Sequence, residues 1–334
     1  MVESQLPVGD AGEFVVYGFS PDGGWLAYSP RRIFIDPDYG LETSTINLLS
    51  NTGEQIENPI DVSRFEGTEG DVGYFVRLSQ NSYWINNQLL YTPLGSIPKP
   101  GEGTMGTSIP AILDPFSGKW EGGWIDTLPY RNKILPSRFG VNEIAVSPDL
   151  ARALYPTNRS GIVLYDLLNN QILWKDTKFA YYSGNIARWS PDGTMVVVGG
   201  LNLDISDRVV SLISYSGEKL TDVIDSKFTI NPYPLRDLAW SPDSRLISLV
   251  ISNSPDEIYI YDVQQQKFLY RCPLAGLGGY YRKMIWSPDS KWIAVSDLDS
   301  PFLIMNVQTG DMYRLLDHAS IAVGWSDKFP IEWP

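Results

Sequence analysis

His318 is the only histidine and Cys272 the only cysteine in the 334 residues. A multi-histidine metal site is therefore excluded, and any Ser-His-Asp or Cys-His mechanism has a single candidate base. No G-x-S-x-G, H-E-x-x-H or Walker pattern surrounds His318, which is read as a surface histidine of the connecting stretch Asp317-His318-Ala319-Ser320. Cys272, at the end of an outer strand, reads as a small half-buried apolar residue rather than a reactive thiol. A lone cysteine rules out an intramolecular disulfide and leaves the redox compartment open. Asp36-Pro37-Asp38 and the pair Asp204 and Asp207 could each offer two carboxylates to calcium, but the ligand sets are short and turn-forming aspartate accounts for both. The glycines of GEGTMG (101–106) neither follow a strand nor open a helix, so they do not read as a phosphate loop. No cofactor and no metal are expected, and the chain is expected not to be an enzyme. A carboxylate pair of the glycosidase kind stays open, because separation in space decides it.

The elements that would position these groups come from one repeated unit. Its clearest copy is Ile186 to Gly200, IARWSPDGTMVVVGG; Trp240-Ser241-Pro242-Asp243 and Trp286-Ser287-Pro288-Asp289 repeat it, each followed by an apolar run. Looser copies stand at Phe19-Ser20-Pro21-Asp22 and Val146-Ser147-Pro148-Asp149, and degenerate ones at Trp84-Ile85-Asn86-Asn87 and Trp325-Ser326-Asp327. The unit reads as a hairpin. Proline presets φ at the first central turn position, aspartate hydrogen-bonds its own backbone, and Gly23 or Gly193 supplies a positive φ. Leu150, Ser244 and Ser290 replace that glycine, so those turns are expected to be more strained. Runs such as MVVV and LISLVIS are too short and too β-branched for helix, and a second hairpin follows in most repeats.

The repeats are expected at about 14–58, 74–120, 141–174, 185–223, 235–272 and 282–316, with an incomplete last one at 321–333, all within one domain spanning 1–334. Periods of roughly 40 to 50 residues holding four short antiparallel strands mark a β-propeller. The W-S-P-D-G/S turn and the apolar strand after it resemble those of TolB-like and WD-repeat-like propellers, and the Gly-His and Trp-Asp signatures of the WD type are absent. The fold expected is therefore all-β, a propeller of four-stranded antiparallel blades. Seven blades are preferred over six, the seventh being Ile321 to Trp333 joined by a strand from Gln5 to Val8. A shared fold does not fix an activity.

The net charge of −13, with 26 Lys+Arg against 39 Asp+Glu, disfavours nucleic acid as a partner. No apolar run approaches the roughly 18 residues a membrane span needs, so a soluble chain is expected. Met1-Val2-Glu3-Ser4 has no basic start and no apolar segment behind it, so no leader peptide is read there. Localisation stays unknown; the resemblance leans towards a bacterial extracytoplasmic setting, periplasm or cell surface, with any signal peptide removed.

In a four-stranded meander the first and third connections lie at one end of the strands, the second connection and the crossover to the next blade at the other. Every tight turn above belongs to the first end. The long stretches Pro30–Glu42, Pro93–Ser108, Gly199–Arg208, Glu57–Gly73, Glu121–Gly140 and Asp225–Pro234 belong to the second, four of them in the first two repeats. This loop-bearing face is the expected working surface. Phe34, Tyr39, Trp124, Tyr130 and Arg131 are its interface-type side chains. Asn142, Asn185, Arg236 and Arg282, each four residues before the turn-side aromatic or its equivalent, form one polar register at the start of the innermost strands. Solvation of strand starts explains them; a ring that receives an anionic group of a partner is the sharper reading. The turn-side tryptophans, recurring at a fixed repeat position, are read as packing between blades.

The function expected is a non-catalytic scaffold that binds a protein or peptide with that face. The alternatives are a propeller severed from a larger peptidase-type enzyme and a carbohydrate-binding or carbohydrate-active propeller. A small-molecule or glycan ligand thus stays open as well.

Overall fold

In a computed structural model, the structure describes residues 14–30, 45–50, 53–59, 73–75, 83–97, 108–120, 145–156, 161–180, 186–202, 207–224, 235–251, 256–274 and 283–320. The chain divides into two compact units, one of Met1–Thr127, Leu135–Asn142 and Ser326–Pro334, the other of Leu128–Ile134 and Glu143–Trp325. Every regular element among the described residues is a strand, and no helix there is long and apolar enough to cross a membrane.

The first unit holds two sheets. One is the meander β1 (Phe14–Phe19), β2 (Trp25–Pro30), β3 (Thr45–Ser50) and β4 (Gln55–Pro59). The other has β5 (Gly73–Phe75) and β6 (Tyr83–Trp84) both paired with β7 (Leu90–Ile97), followed by β8 (Ser108–Asp114) and β9 (Lys119–Trp120). β5 and β6 occupy the same position in the sheet, both beside β7. The expected loop Pro93–Ser108 is shorter than the sequence suggests, because the β7–β8 ladder continues to Gly95↔Ser108. Pro93 and Pro110 face each other on one rung, where neither has an amide to give.

The second unit holds four sheets. β10 (Ala145–Val146), β11 (Arg152–Pro156), β12 (Ile162–Asp166) and β13 (Gln171–Asp176) make the first. In the second, β14 (Phe179–Ala180) and β15 (Ile186–Trp189) share one partner, β16 (Met195–Asn202), before β17 (Asp207–Ser214) and β18 (Lys219–Ile224). The third is β19 (Leu235–Trp240), β20 (Leu246–Ile251), β21 (Glu257–Asp262) and β22 (Lys267–Pro273). The fourth is β23 (Lys283–Trp286), β24 (Trp292–Asn306) and β25 (Met312–Ser320). β24 serves as two strands. Its first residues pair with β23 and its last with β25, while the Val307 amide donates to the Lys291 carbonyl at 2.9 Å. The same bond ties second to third strand in the other sheets of this unit, as Leu167 to Ala151, Tyr215 to Thr194 and Val263 to Arg245. All six sheets are therefore four-stranded blades of the propeller kind, with two short strands in the innermost position in two of them.

The core explains why the strands read as near-continuous apolar runs. Ile247, Leu249 and Ile251 of β20 pack with Tyr259 and Tyr261 in a cluster shared with Val197, Val210 and Leu212 of the preceding blade. Leu246 and Val250, on the opposite face of the same strand, join Ile258 and Ile260 against Met284, Ile293 and Val295 of the following blade. A middle blade thus buries both faces, so both sets of alternating side chains must be apolar. At about 25 cal/mol per Å² of apolar area, each large aliphatic side chain so buried contributes about 1.5–3 kcal/mol.

The expected loop Gly199–Arg208 is mostly strand: β16 continues to Asn202 and β17 begins at Asp207. The glycines mislead because they meet a packing need. A Cβ on Gly199 would lie 2.4 Å from Leu235 Cδ2, so the residue is bare to let β19 approach. His318 is likewise not in a connecting segment; its backbone belongs to β25, where the pairing slips from Phe302↔Leu316 to Pro301↔Ala319 and leaves Asp317 and His318 as a bulge. Ile321 to Trp333 and Gln5 to Val8, on which the preference for seven blades rests, lie outside the described residues.

Candidate functional site

At the tight-turn end five of the six described blades open on the same local network, and the β5–β9 sheet has Asn86 Oδ1 accepting from the Gln88 and Leu89 amides instead. Ser190 Oγ donates to Asp192 Oδ1 at 2.6 Å and accepts from the Met195 amide at 3.0 Å, while Asp192 Oδ1 accepts from the Thr194 amide at 3.0 Å. Ser20 with Asp22, Ser147 with Asp149, Ser241 with Asp243 and Ser287 with Asp289 repeat the side-chain bond at 2.5–2.6 Å. The turns expected to be strained are so: Leu150, Ser244 and Ser290 have φ of 60°, 59° and 59°. Burial pushes the carboxyls of Asp149, Asp192 and Asp289 upward, and hydrogen bonds, foremost from Ser147, Ser190 and Ser287, outweigh it and hold them below the usual aspartate value.

Ties from blade to blade add to this. Each described turn-side tryptophan gives its indole N–H to the blade before it: Trp84 to Gly18 O at 2.9 Å in the first unit, Trp189 to Ala145 O and Trp240 to Arg188 O at 3.0 Å in the second. Trp286 reaches Ser248 Oγ at 3.0 Å, and Ser248 Oγ passes the bond on to Ala239 O at 3.2 Å. The expectation of inter-blade packing is met, with a directed hydrogen bond added. A second set runs turn to turn, from the Asp22 amide to Asn87 Oδ1, the Asp192 amide to Ser244 Oγ and the Asp243 amide to Ser290 Oγ, at 3.0–3.1 Å.

Polar groups that the sequence does not single out are held in the same internal way. Arg152 pairs with the buried Asp166 at 2.9 Å, Arg245 with the buried Asp262 at 2.9 Å, and both aspartates also cap the turn that follows their strand. At the other end of its blade, buried Glu257 accepts a fork from Arg271 Nε and Nη2, at 3.1 and 2.9 Å, and the Tyr259 hydroxyl at 2.5 Å. Burial and then the Glu257 carboxylate push the Tyr259 phenol far above its ordinary value. Across a hairpin ladder the only readable signal was the pairing itself, Arg152 opposite Asp166 on β11 and β12.

Of the expected binding residues, Arg236 is described. It is half-buried, the second residue of β19, at a bulge between the pairs Leu235↔Ile251 and Asp237↔Val250. Such a bulge re-aims the side chain of an inner strand. Phe34, Tyr39, Trp124, Tyr130, Arg131, Asn142, Asn185 and Arg282 lie outside the described residues. Cys272 is half-buried on β22, packed in the cluster with Met305 and Val307, and burial pushes its thiol up. Among the described residues no group of three or more His, Cys, Asp or Glu side chains is placed to hold a metal ion.

No protein-family model matches the sequence, and no curated protein matches it either. Among solved structures it is similar to TolB from Acinetobacter baumannii, with a TM-score of 0.49 and 14% identity over 90% of this chain. The chain spans 65% of the length of that structure.

Proposed function

We propose that this chain is a non-catalytic scaffold that binds a protein or peptide through the end of its blades carrying the long connections, above all those of the first two blades. The observation that supports the reading is the division of labour between the two ends of each meander. At one end, connections of a few residues spend their serines and aspartates on one another and on the neighbouring blade. At the other end, residues 31–44 join β2 to β3, 60–72 join β4 to β5, 98–107 join β7 to β8 and 121–144 join β9 to β10. Three of these four exceed about 12 residues, and connections of that length in a compact domain are retained for use more often than for architecture. Their aromatic and arginine residues, Phe34, Tyr39, Trp124, Tyr130 and Arg131, are of the types that dominate binding energy.

Affinity capture from a lysate of the source organism tests this. The intact protein is compared with a variant in which residues 98–107 and 121–140 are replaced by short turns, leaving the β7–β8 ladder intact. A partner held by the intact chain and lost by the folded variant supports the reading. A partner retained equally by both would sink it.

A further inference from the structure

In the second unit, three seams separate four successive blades, and their turn-end ties are built from different chemistry. At the seam between β14–β18 and β19–β22 a neutral pair closes the turns, the Asp192 amide on Ser244 Oγ at 3.0 Å. The next seam repeats it with the Asp243 amide on Ser290 Oγ at 3.1 Å. The seam between β10–β13 and β14–β18 cannot, because the residue in the Ser244 position is Gly193, which has no side chain to accept the Asp149 amide. There the Tyr215 hydroxyl donates to Asp149 Oδ2 at 2.6 Å instead. The Arg152 guanidinium stacks on the Tyr215 ring, 4.5 Å from its centroid, while it pairs with Asp166 at 2.9 Å.

We propose that this seam is an ion-sensitive hinge, the turn-end joint of the second unit that parts first when salt or acid weakens the Asp149–Tyr215–Arg152–Asp166 cluster. The charged group facing Asp149 is Arg152 on its own blade; Tyr215 is the titratable group that faces it from the next blade, and Asp149, Arg152 and Asp166 all act on Tyr215. Salt screens the exposed Asp149 carboxylate, and the Arg152–Asp166 pair, 14% and 2% exposed, much less, whereas an amide donating to a hydroxyl carries no net charge to screen. Acid acts in the same direction. Hydrogen bonds hold the carboxyls of Asp149 and Asp166 below the usual value against the upward push of burial, so their contribution is present above about pH 4 and is lost as pH falls through their lowered values. Asp192, at the next seam, also titrates low, and Ser244 across that seam is among the groups that hold it there, so the uncharged reference for the acid response is the third seam, where the Asp243 amide meets Ser290 Oγ.

The glycine makes the hinge testable by repair. Gly193 has a φ of 73°, in the same region as Ser244 at 59°, and a Cβ there would meet Pro148 Cδ at an ordinary 3.5 Å. Gly193→Ser should therefore seat a hydroxyl where Ser244 has one, replacing the charged tie with a neutral one. The experiment is hydrogen exchange on the full chain at neutral pH, comparing low with about 0.5 M salt, for wild type, Tyr215→Phe and Tyr215→Phe with Gly193→Ser. The phenylalanine keeps the ring under Arg152 and deletes only the hydroxyl. The amides of Leu150, Arg152 and Gly217 should exchange about tenfold faster in Tyr215→Phe, with those of Ser244 and Leu246 unchanged. Salt should move the wild type towards that variant, and Gly193→Ser should restore protection and remove the salt response. Equal effects at both seams, no effect of salt, or no rescue by the serine would overturn the proposal.

Discussion

The turn joining β15 to β16 and the turn joining β19 to β20 start from the same four residue types, Trp-Ser-Pro-Asp, and make the same internal bonds to within a few tenths of an ångström. They part at the next residue. Gly193 takes its positive φ at no steric cost and leaves the neighbouring blade nothing to hold. Ser244 takes nearly the same φ against its own Cβ and hands the preceding blade an acceptor. Strain at that position is thus not a defect of degenerate copies of the repeat. It is offset by a bond that glycine cannot make, and the fold can close a seam either way provided some other group fills in.

The comparison breaks most severely at the tryptophans. Trp240 is buried and Trp189 half-buried, so Trp240→Ala should cost about 3–5 kcal/mol and Trp189→Ala measurably less, read as the shift in urea midpoint at constant slope. Ser190→Ala and Ser241→Ala come next. Both serines are fully buried and both turns use the hydroxyl identically, so each loss should be about 1–3 kcal/mol and the two should agree; a large difference would show that the turns are not equivalent after all. At Ser244 the two contributions separate. Ser244→Ala keeps the strained φ and loses the acceptor, about 1–2 kcal/mol, whereas Ser244→Gly relieves the strain as it loses the bond and should fall within about 0.5 kcal/mol of wild type. The smallest effect is in acid. Asp192 titrates below its ordinary value, so its stabilising contribution holds above about pH 4 and fades as pH falls further; Asp192→Asn should lower stability at neutral pH and flatten the acid limb of a denaturation series from pH 7 to 3. An unchanged acid limb would mean that other carboxyls govern it.

What the sequence could convey followed how local each interaction is. Ser241 and Asp243 are two residues apart, so the turn, its positive φ and the strand after it were readable from the string alone. The short β-branched runs of β16 and β20 were readable as strands for the same local reason. Properties defined by a partner strand were not readable: the shared positions of β5 and β6 and of β14 and β15 exist only relative to β7 and β16. Gly199 looked like loop punctuation because the need it meets comes from Leu235, a residue of the next blade. The Tyr215 to Asp149 bond spans 66 residues and had no signal at all. Of the candidate binding residues, the structure describes Arg236, and it adds to the reading the bulge on which that residue sits.

The direction of the indole bonds bears on how the chain is made. Trp84, Trp189, Trp240 and Trp286 each find their acceptor in a repeat of lower number, so the acceptor has always left the ribosome before the donor. Trp189, Trp240 and Trp286 follow one another at intervals of 51 and 46 residues. At about 5–20 residues per second such an interval lasts seconds, and hairpins form in about 1–10 μs. Within the second unit each acceptor blade has therefore had seconds to form before its tryptophan emerges, and the order of these bonds matches the order of translation.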